Sequence, residues 1–234
     1  MVARLKVGRY ARRVTLPSER EPTDPEPTNS AVAVLGADGE VGEALDRCTE
    51  VLAAGGNVVL PTDTVYGVAA AAHHPEAVAG LAVLKGRSGG QPLAVLVADA
   101  AQALVLTESV SGQVRRWMDD HWPGPLTLVL RRSKEAGRMS LGGDEATIGV
   151  RCPDHGFVRA LAARVGPLAT TSANRHGEPT PVTAQEAAAA LTAPVALVVE
   201  GGPAGTVAST VVDVTTHTPK VLRTGALAPG VLGL

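Results

Sequence analysis

The sequence predicts an α/β fold, a mixed β-sheet flanked by helices, and three observations predict it. Helix-period and strand-period patterns alternate through most of the chain. Hydrophobic residues make up 45% of the 234 residues but aromatics only 2%, so the core has to be built of Ala, Val and Leu, which suit a sheet covered by helices. The stretch from Thr127 to Arg151 carries strand patterns with no helix between them. That calls for antiparallel pairing inside an otherwise alternating chain, and so for a mixed sheet.

Taken in order, residues 1–30 stand apart. Arg4, Lys6, Arg9, Arg12, Arg13 and Arg20 face one acid, Glu19, and are followed by Pro22, Pro25 and Pro27 among Glu21, Asp24 and Glu26. So few apolar groups cannot offset the entropy of ordering the stretch, and it reads as a mobile N-terminal arm. Its basic charge leaves contact with RNA or a partner open; a solvated extension is the simpler reading. The remainder, 31–234, reads as one domain without internal repeat or linker.

Between Gly39 and Gly55, Val41, Ala44, Leu45, Cys48, Val51 and Leu52 form a helical stripe, stopped by Gly55-Gly56. Val58-Val59-Leu60 is a short buried strand ending at Pro61. Further helices are expected at 75–85, 99–106, 111–120, 154–165 and 183–191, and strands at 93–98, 126–131, 147–151, 195–199, 209–214 and 220–223. No apolar run reaches the roughly 18 residues of a membrane span, and the N-terminus lacks a secretory apolar core, so a cytoplasmic location is expected. A formal net charge of −2 argues against a nucleic-acid footprint over the whole surface, though not against a local basic groove. Cys48 and Cys152 have neither metal-ligand nor disulfide spacing and read as packing residues.

Four segments look chemical. In Pro61-Thr62-Asp63-Thr64-Val65-Tyr66-Gly67, hydroxyls, a carboxylate and a phenol follow directly on a buried strand, the place where ligands bind in open α/β sheets. Taken alone, Thr62 and Asp63 read equally well as turn caps. Lys85-Gly86-Arg87-Ser88-Gly89-Gly90-Gln91 sets a point charge and a guanidinium fork beside flexible glycines, a cradle for several phosphate oxygens that lacks the P-loop spacing. The plainer reading is that these cations complement a helix C-terminus. In Thr147-Ile148-Gly149-Val150-Arg151-Cys152-Pro153 a charge ends an apolar strand, where it needs solvent or an anion. Thr170-Thr171-Ser172-Ala173-Asn174 offers donors and acceptors but no strong base, and neither His155 nor His176 has the spacing of a triad, so the segment reads as a binding turn.

These segments, with Pro123-Gly124-Pro125-Leu126-Thr127, Ser209-Thr210-Val211-Val212-Asp213 and Leu222-Arg223-Thr224-Gly225, stand in the order found in the YrdC/Sua5 family, which the chain resembles over about residues 39–226. Each motif is weak alone; their ordered combination is specific. The resemblance implies an open, twisted sheet around a concave electropositive groove. It implies L-threonylcarbamoyladenylate synthase activity: L-threonine, bicarbonate and ATP give threonylcarbamoyl-AMP and pyrophosphate, for N6-threonylcarbamoyladenosine formation on tRNA. It implies that Thr64, Arg151, Ser172 and Ser209 meet threonine and that Lys85, Arg87, Gln91, Thr147, Asn174 and Arg223 meet ATP, with Lys85 and Arg87 stabilising the leaving pyrophosphate. Mg²⁺ is expected to be carried by the ATP phosphates, with no metal site of protein ligands. tRNA and tRNA-modification proteins are candidate partners; a membrane is not.

The chain departs from the family pattern in two places. Ser88-Gly89-Gly90 stands where a Pro often follows Lys-x-Arg, so a more mobile loop is expected there. The sequence ends at Leu234, so it reads as a short form lacking the C-terminal Sua5 domain. Two rival functions use the same groove, a double-stranded-RNA-binding module and a partner-holding scaffold. Threonine-sized hydroxyl pockets with few cations favour a small-molecule site over both.

Overall fold

The computed structural model describes residues 31–34, 38–87 and 90–234. The expected mobile arm 1–30 and the Ser88-Gly89 part of the glycine loop lie outside them. Among the described residues, ten strands and six α-helices follow one another as β1 Ala31–Val34, α1 Asp38–Ala53, β2 Val58–Leu60, β3 Gly67–Ala71, α2 Pro75–Leu84, β4 Ala94–Leu96, α3 Ala100–Val105, α4 Gly112–His121, β5 Leu126–Arg131, β6 Thr147–Arg151, α5 Gly156–Val165, β7 Leu168–Ser172, α6 Ala184–Ala189, β8 Leu197–Glu200, β9 Thr210–Asp213 and β10 Lys220–Arg223. No helix among the described residues is long and apolar enough to cross a membrane.

Local chemistry sets the helix ends. In α1, Ala44, Cys48 and Leu52 recur every fourth residue and are buried as one stripe. Gly55 ends it at φ +79°, a conformation costly for any residue with a Cβ, while Gly56 N–H donates to the Val51 carbonyl. Asp99 and Ser111 cap α3 and α4 through their side chains, and Thr183 with Glu186 forms a reciprocal capping box on α6.

The strands form one mixed sheet in the order β1-β8-β2-β3-β7-β4-β6-β5-β9-β10. β1–β8, β8–β2, β4–β6 and β5–β9 are parallel; β2–β3, β3–β7, β7–β4, β6–β5 and β9–β10 are antiparallel. A mixed sheet flanked by helices is therefore what the chain builds, with the antiparallel β5–β6 pair inside Thr127–Arg151. Three strands were not expected from the sequence. β1 occupies the start of the body, and β3 and β7 run through Gly-Val-Ala-Ala-Ala and Leu-Ala-Thr-Thr-Ser. The expected binding turn at Thr170–Asn174 is thus corrected: its first three residues are strand. Gly and Ala give β3 little strand propensity, and the conformation of β3 and β7 comes from pairing with each other over five positions and from their place between β2 and β4.

Period-two alternation divides the sheet into two faces. Val59, Val68, Ala70, Val95, Ala169 and Val198 join Leu126, Leu128, Leu130, Ile148 and Val150 in one core, closed by α2, α4 and α6 through Leu81, Trp117, Met118 and Ala187. The alternate residues Val58, Leu60, Ala69, Leu96, Leu168 and Leu197 pack against Cys48 and Leu52 of α1 and Phe157, Val158 and Leu161 of α5. Each fully buried Leu or Val contributes about 1.5–3 kcal/mol. On the second face, the helices among the described residues cover only the β1–β4 side. Over β6, β5 and β9 the corresponding positions are Thr147, Gly149, Arg151, Thr127, Val129, Val211 and Asp213, and these line a cavity.

Candidate functional site

The cavity measures about 570 Å³, within the range of small-molecule sites. Its walls bring together Thr62 and Thr64 after β2, Thr170 to Ser172 at the end of β7, Arg151 at the end of β6, Ser209 before β9 and Arg223 at the end of β10. Of the residues implicated by sequence, Thr64, Arg151, Ser172, Ser209, Thr147 and Arg223 therefore line a single space. Arg132, Asp144 and Asp213 complete its charged lining.

Arg151 is only 5% exposed. Its Nε donates to the Gly124 carbonyl (2.9 Å), Nη1 to Thr64 Oγ1 (2.7 Å) and Nη2 to Asp63 Oδ1 (2.5 Å). Burial lowers the Arg151 pKa and the Asp63 carboxylate opposes that shift; an arginine stays charged throughout. Thr64 is held in turn: Thr62 Oγ1 lies 3.0 Å from Thr64 Oγ1, accepts from the N–H groups of Thr64 and Val65, and donates to the Val65 carbonyl. The hydroxyls at Thr62 and Thr64 thus form a locked turn that both caps itself and faces the cavity.

A second hydroxyl pair stands across the floor. Thr127 Oγ1 and Ser209 Oγ are 2.8 Å apart, both buried, and Arg223 donates to Ser209 Oγ (3.2 Å) and to its carbonyl (3.0 Å). Gly225 allows this close approach, since a Cβ there would stand 2.2 Å from the Ala208 carbonyl oxygen.

Lys85 differs from its expected setting. Rather than facing solvent in an open cradle, it is 3% exposed, and its ammonium shares its three N–H groups among the Ser172 and Asn174 carbonyls (both 2.6 Å), Asn174 Oδ1 (3.1 Å) and Ser172 Oγ (3.3 Å). Ser172 Oγ also donates to Asn174 Oδ1 at 2.5 Å. Burial, then the neighbouring Arg87, pulls the Lys85 pKa down to about 8. Arg87 donates through Nη1 to Gln91 Oε1 (2.7 Å), and its buried Nε has no hydrogen-bond partner among the described residues. Lys85 and Asn174 meet the cavity through Ser172, and Gln91 adjoins its lining residue Pro92.

Sequence reasoning left several lining positions without a role, Asp144 among them. Thr127 and Asp213 sat inside quoted motifs, and strand alternation with Leu126, Leu128 and Val212 as core residues would have turned both toward the cavity. Arg132, which donates to the Thr147 and Met139 carbonyls, was signalled only by a charge at the end of an apolar strand. Gly149 carries no chemistry, but its missing side chain leaves the floor open. Cys48 and Cys152 are buried and free, and burial pushes their pKa values up to about 12 and about 11, so neither supplies a thiolate near neutral pH. Thr64, Ser172 and Ser209 are bonded to Thr62 and Arg151, to Asn174 and Lys85, and to Thr127 and Arg223. Such hydroxyls donate and accept; without an adjacent base they are not nucleophiles. The arrangement suits binding anionic and hydroxylated small molecules.

Comparison with known proteins gives this geometry a family. Residues 50–225 match the Sua5/YciO/YrdC family model, described as telomere recombination. A putative threonylcarbamoyl-AMP synthase of Mycobacterium tuberculosis is 40% identical over 176 residues, 75% of this chain and 81% of the relative. The threonylcarbamoyl-AMP synthase of Bacillus subtilis is 37% identical over 172 residues, 73% of this chain, which spans 50% of that protein's length. Among solved structures, P. abyssi Sua5 complexed with L-threonine superposes with a TM-score of 0.75 at 31% identity, covering 86% of this chain and 58% of that one. E. coli YciO gives a TM-score of 0.77 at 25% identity, covering 86% and 98%. On the match of its family model over most of its length and on these relatives, the chain belongs to the Sua5/YciO/YrdC family.

Proposed function

We propose that the chain is an L-threonylcarbamoyladenylate synthase, a nucleotidyltransferase that forms threonylcarbamoyl-AMP and pyrophosphate from L-threonine, bicarbonate or CO₂, and ATP, for threonylcarbamoyladenosine modification of tRNA. The observation that carries this reading is the convergence of Thr64, Arg151 and Ser172 from three distant segments on one cavity wall. Relatives named threonylcarbamoyl-AMP synthase and a Sua5 solved with L-threonine support it.

The chemistry asks for no protein nucleophile. The amine of threonine adds to CO₂ and loses a proton to give a carbamate; a carbamate oxygen attacks the α-phosphorus of ATP, and the bond to pyrophosphate breaks. The protein's task is to bring two anions together and to stabilise developing charge with groups already in place. Arg151 holds the threonine carboxylate, while Thr64, Ser172 and Ser209 read its amine and hydroxyl. Arg87, Arg223, Gln91, Thr147 and Asn174 meet ATP. Lys85 serves the same site by fixing Ser172 and Asn174.

Mg²⁺, when bound, neutralises phosphate charge. No group of three potential ligating side chains exists among the described residues, and Asp144 and Asp213 are the carboxylates on the wall. That donor set fits an ion held mainly by phosphate oxygens and water, with these two aspartates as the groups that would meet its hydration shell.

Calorimetry tests the reading. ATP and L-threonine should each bind more tightly in the presence of the other, because they share one cavity. Binding of double-stranded RNA with no affinity for either small molecule would reject it in favour of an RNA-binding module.

A further inference from the structure

The Asp63 carboxylate stands on the guanidinium that the proposed function assigns to the threonine carboxylate. The side chains of Asp63 and Arg151 are 15% and 6% exposed, and the Nη2–Oδ1 distance is 2.5 Å. A buried cation with a single close counter-ion among the described residues presents a puzzle for any anionic ligand: either the ligand displaces the resident carboxylate or it joins it.

Donor arithmetic decides between these. An arginine has five N–H groups. Gly124 O takes the one on Nε, Thr64 Oγ1 takes one on Nη1, and Asp63 Oδ1 takes one on Nη2. One N–H is left on each terminal nitrogen, and a fork of two N–H groups matches the two oxygens of a carboxylate. Displacing Asp63 would instead break its pair with a guanidinium that is itself buried, at the cost of that lost pairing. The three oxygens come from two turns: the one after β2 supplies two, the Pro123–Pro125 turn one. Together they leave the guanidinium plane no freedom to rotate.

We propose that Asp63 is a positioning residue that stays paired with Arg151 throughout turnover and aims its two remaining N–H groups at the substrate carboxylate. The inference rests on the reading that Arg151 binds that carboxylate. Asp63 touches no reacting atom. It acts through the hydrogen bond that its oxygen accepts, so an amide oxygen in the same place can substitute, whereas a methyl group cannot.

The experiment compares wild type, Asp63→Ala, Asp63→Asn and Arg151→Met, each first checked for a cooperative thermal melt, and measures binding of L-threonine and of L-threoninamide, which lacks the carboxylate charge. Asp63→Ala should weaken threonine binding by tenfold or more and leave threoninamide and ATP within about threefold of wild type. Asp63→Asn should recover most of the lost threonine affinity. Equal losses for threonine and threoninamide in Asp63→Ala would mean a general structural role, and Asp63→Asn as weak as Asp63→Ala would mean that charge, not aim, matters; either overturns the proposal. If Asp63→Ala fails to fold, the Asp63→Asn pair of affinities still decides it. Arg151→Met separates the two layers: undiminished threonine affinity there rejects the underlying assignment, whereas its loss with no effect of Asp63→Ala rejects only the role of Asp63.

Discussion

Gly149 gives a direct handle on the cavity floor. It lies in the middle of β6, between Ile148 and Val150, which both enter the core, and opposite Val129 of β5. A Cβ built on it would stand 3.6 Å from Thr127 Cγ2 and 4.0 Å from Val129 Cγ2, ordinary contacts that require no neighbour to shift. Gly149→Ala should therefore fold at no steric cost. By removing the chain entropy of glycine in a strand it should gain about 0.5–1 kcal/mol, or roughly 1–4 °C in Tm for a chain of this size. The same methyl group stands on the floor between Thr127 and Arg151. Crowding a fitted site by a methyl costs about 1–3 kcal/mol, a loss of roughly 5- to 150-fold in kcat/KM. The assay is pyrophosphate release with threonine, bicarbonate and ATP, run beside a thermal melt. Stability held or raised while activity falls is the expected pair of results. A Gly149→Leu protein that melts like wild type and keeps full activity would refute the claim that this face of the sheet is the reaction floor.

Three further expectations follow from the same geometry. Arg87→Ala should lower turnover by about 10²–10³, the scale of losing one preorganised charge stabiliser, and pyrophosphate release near the wild-type rate would reject that role. With Lys85 lowered to about 8 by burial and Arg87, its ammonium form is lost in the free protein as pH rises past that value. ATP affinity measured without threonine should then hold from pH 6.5 to about 7.5 and fall above 8, by up to about tenfold per unit; a flat profile to pH 9.5 contradicts it. Threonine should be used best, serine next at a penalty of about 1–3 kcal/mol for the lost methyl, and valine least, because a site that hydrogen-bonds a hydroxyl leaves its own groups unpaired without one. Equal kcat/KM for valine and threonine sinks the pocket assignment.

What could be read from the sequence divides along a physical line. β2, β5, β6 and β10 run over the residues that their Val- and Leu-rich patterns mark, because in those segments side-chain preference and environment agree. β3 escaped because Ala69, Ala70 and Ala71 favour no strand, and β7 because its hydroxyls at Thr170 and Thr171 read as a polar turn; pairing with each other and with the neighbouring strands extends both. The site shows the same division. Arg151 at the end of an apolar strand, and hydroxyls after β2, are local signals. That Lys85 would be buried against Ser172 and Asn174, 87 and 89 residues away, is a fact of chain crossing that no spacing encodes. Asp63 shows the cost of reading one segment alone: within its turn it resembles a cap, and only its contact with Arg151, 88 residues on, gives it another task.

The proposed reaction joins threonine, a carbon dioxide unit and ATP in this one cavity. Pyrophosphate release measured with each of L-threonine, bicarbonate and ATP omitted in turn tests it most directly, with the nucleotide product identified by mass. Release that requires all three, matched one to one by threonylcarbamoyl-AMP and lost in Arg151→Met, is the predicted result. ATP that binds but yields no threonine-dependent pyrophosphate, or yields it without bicarbonate, would contradict it.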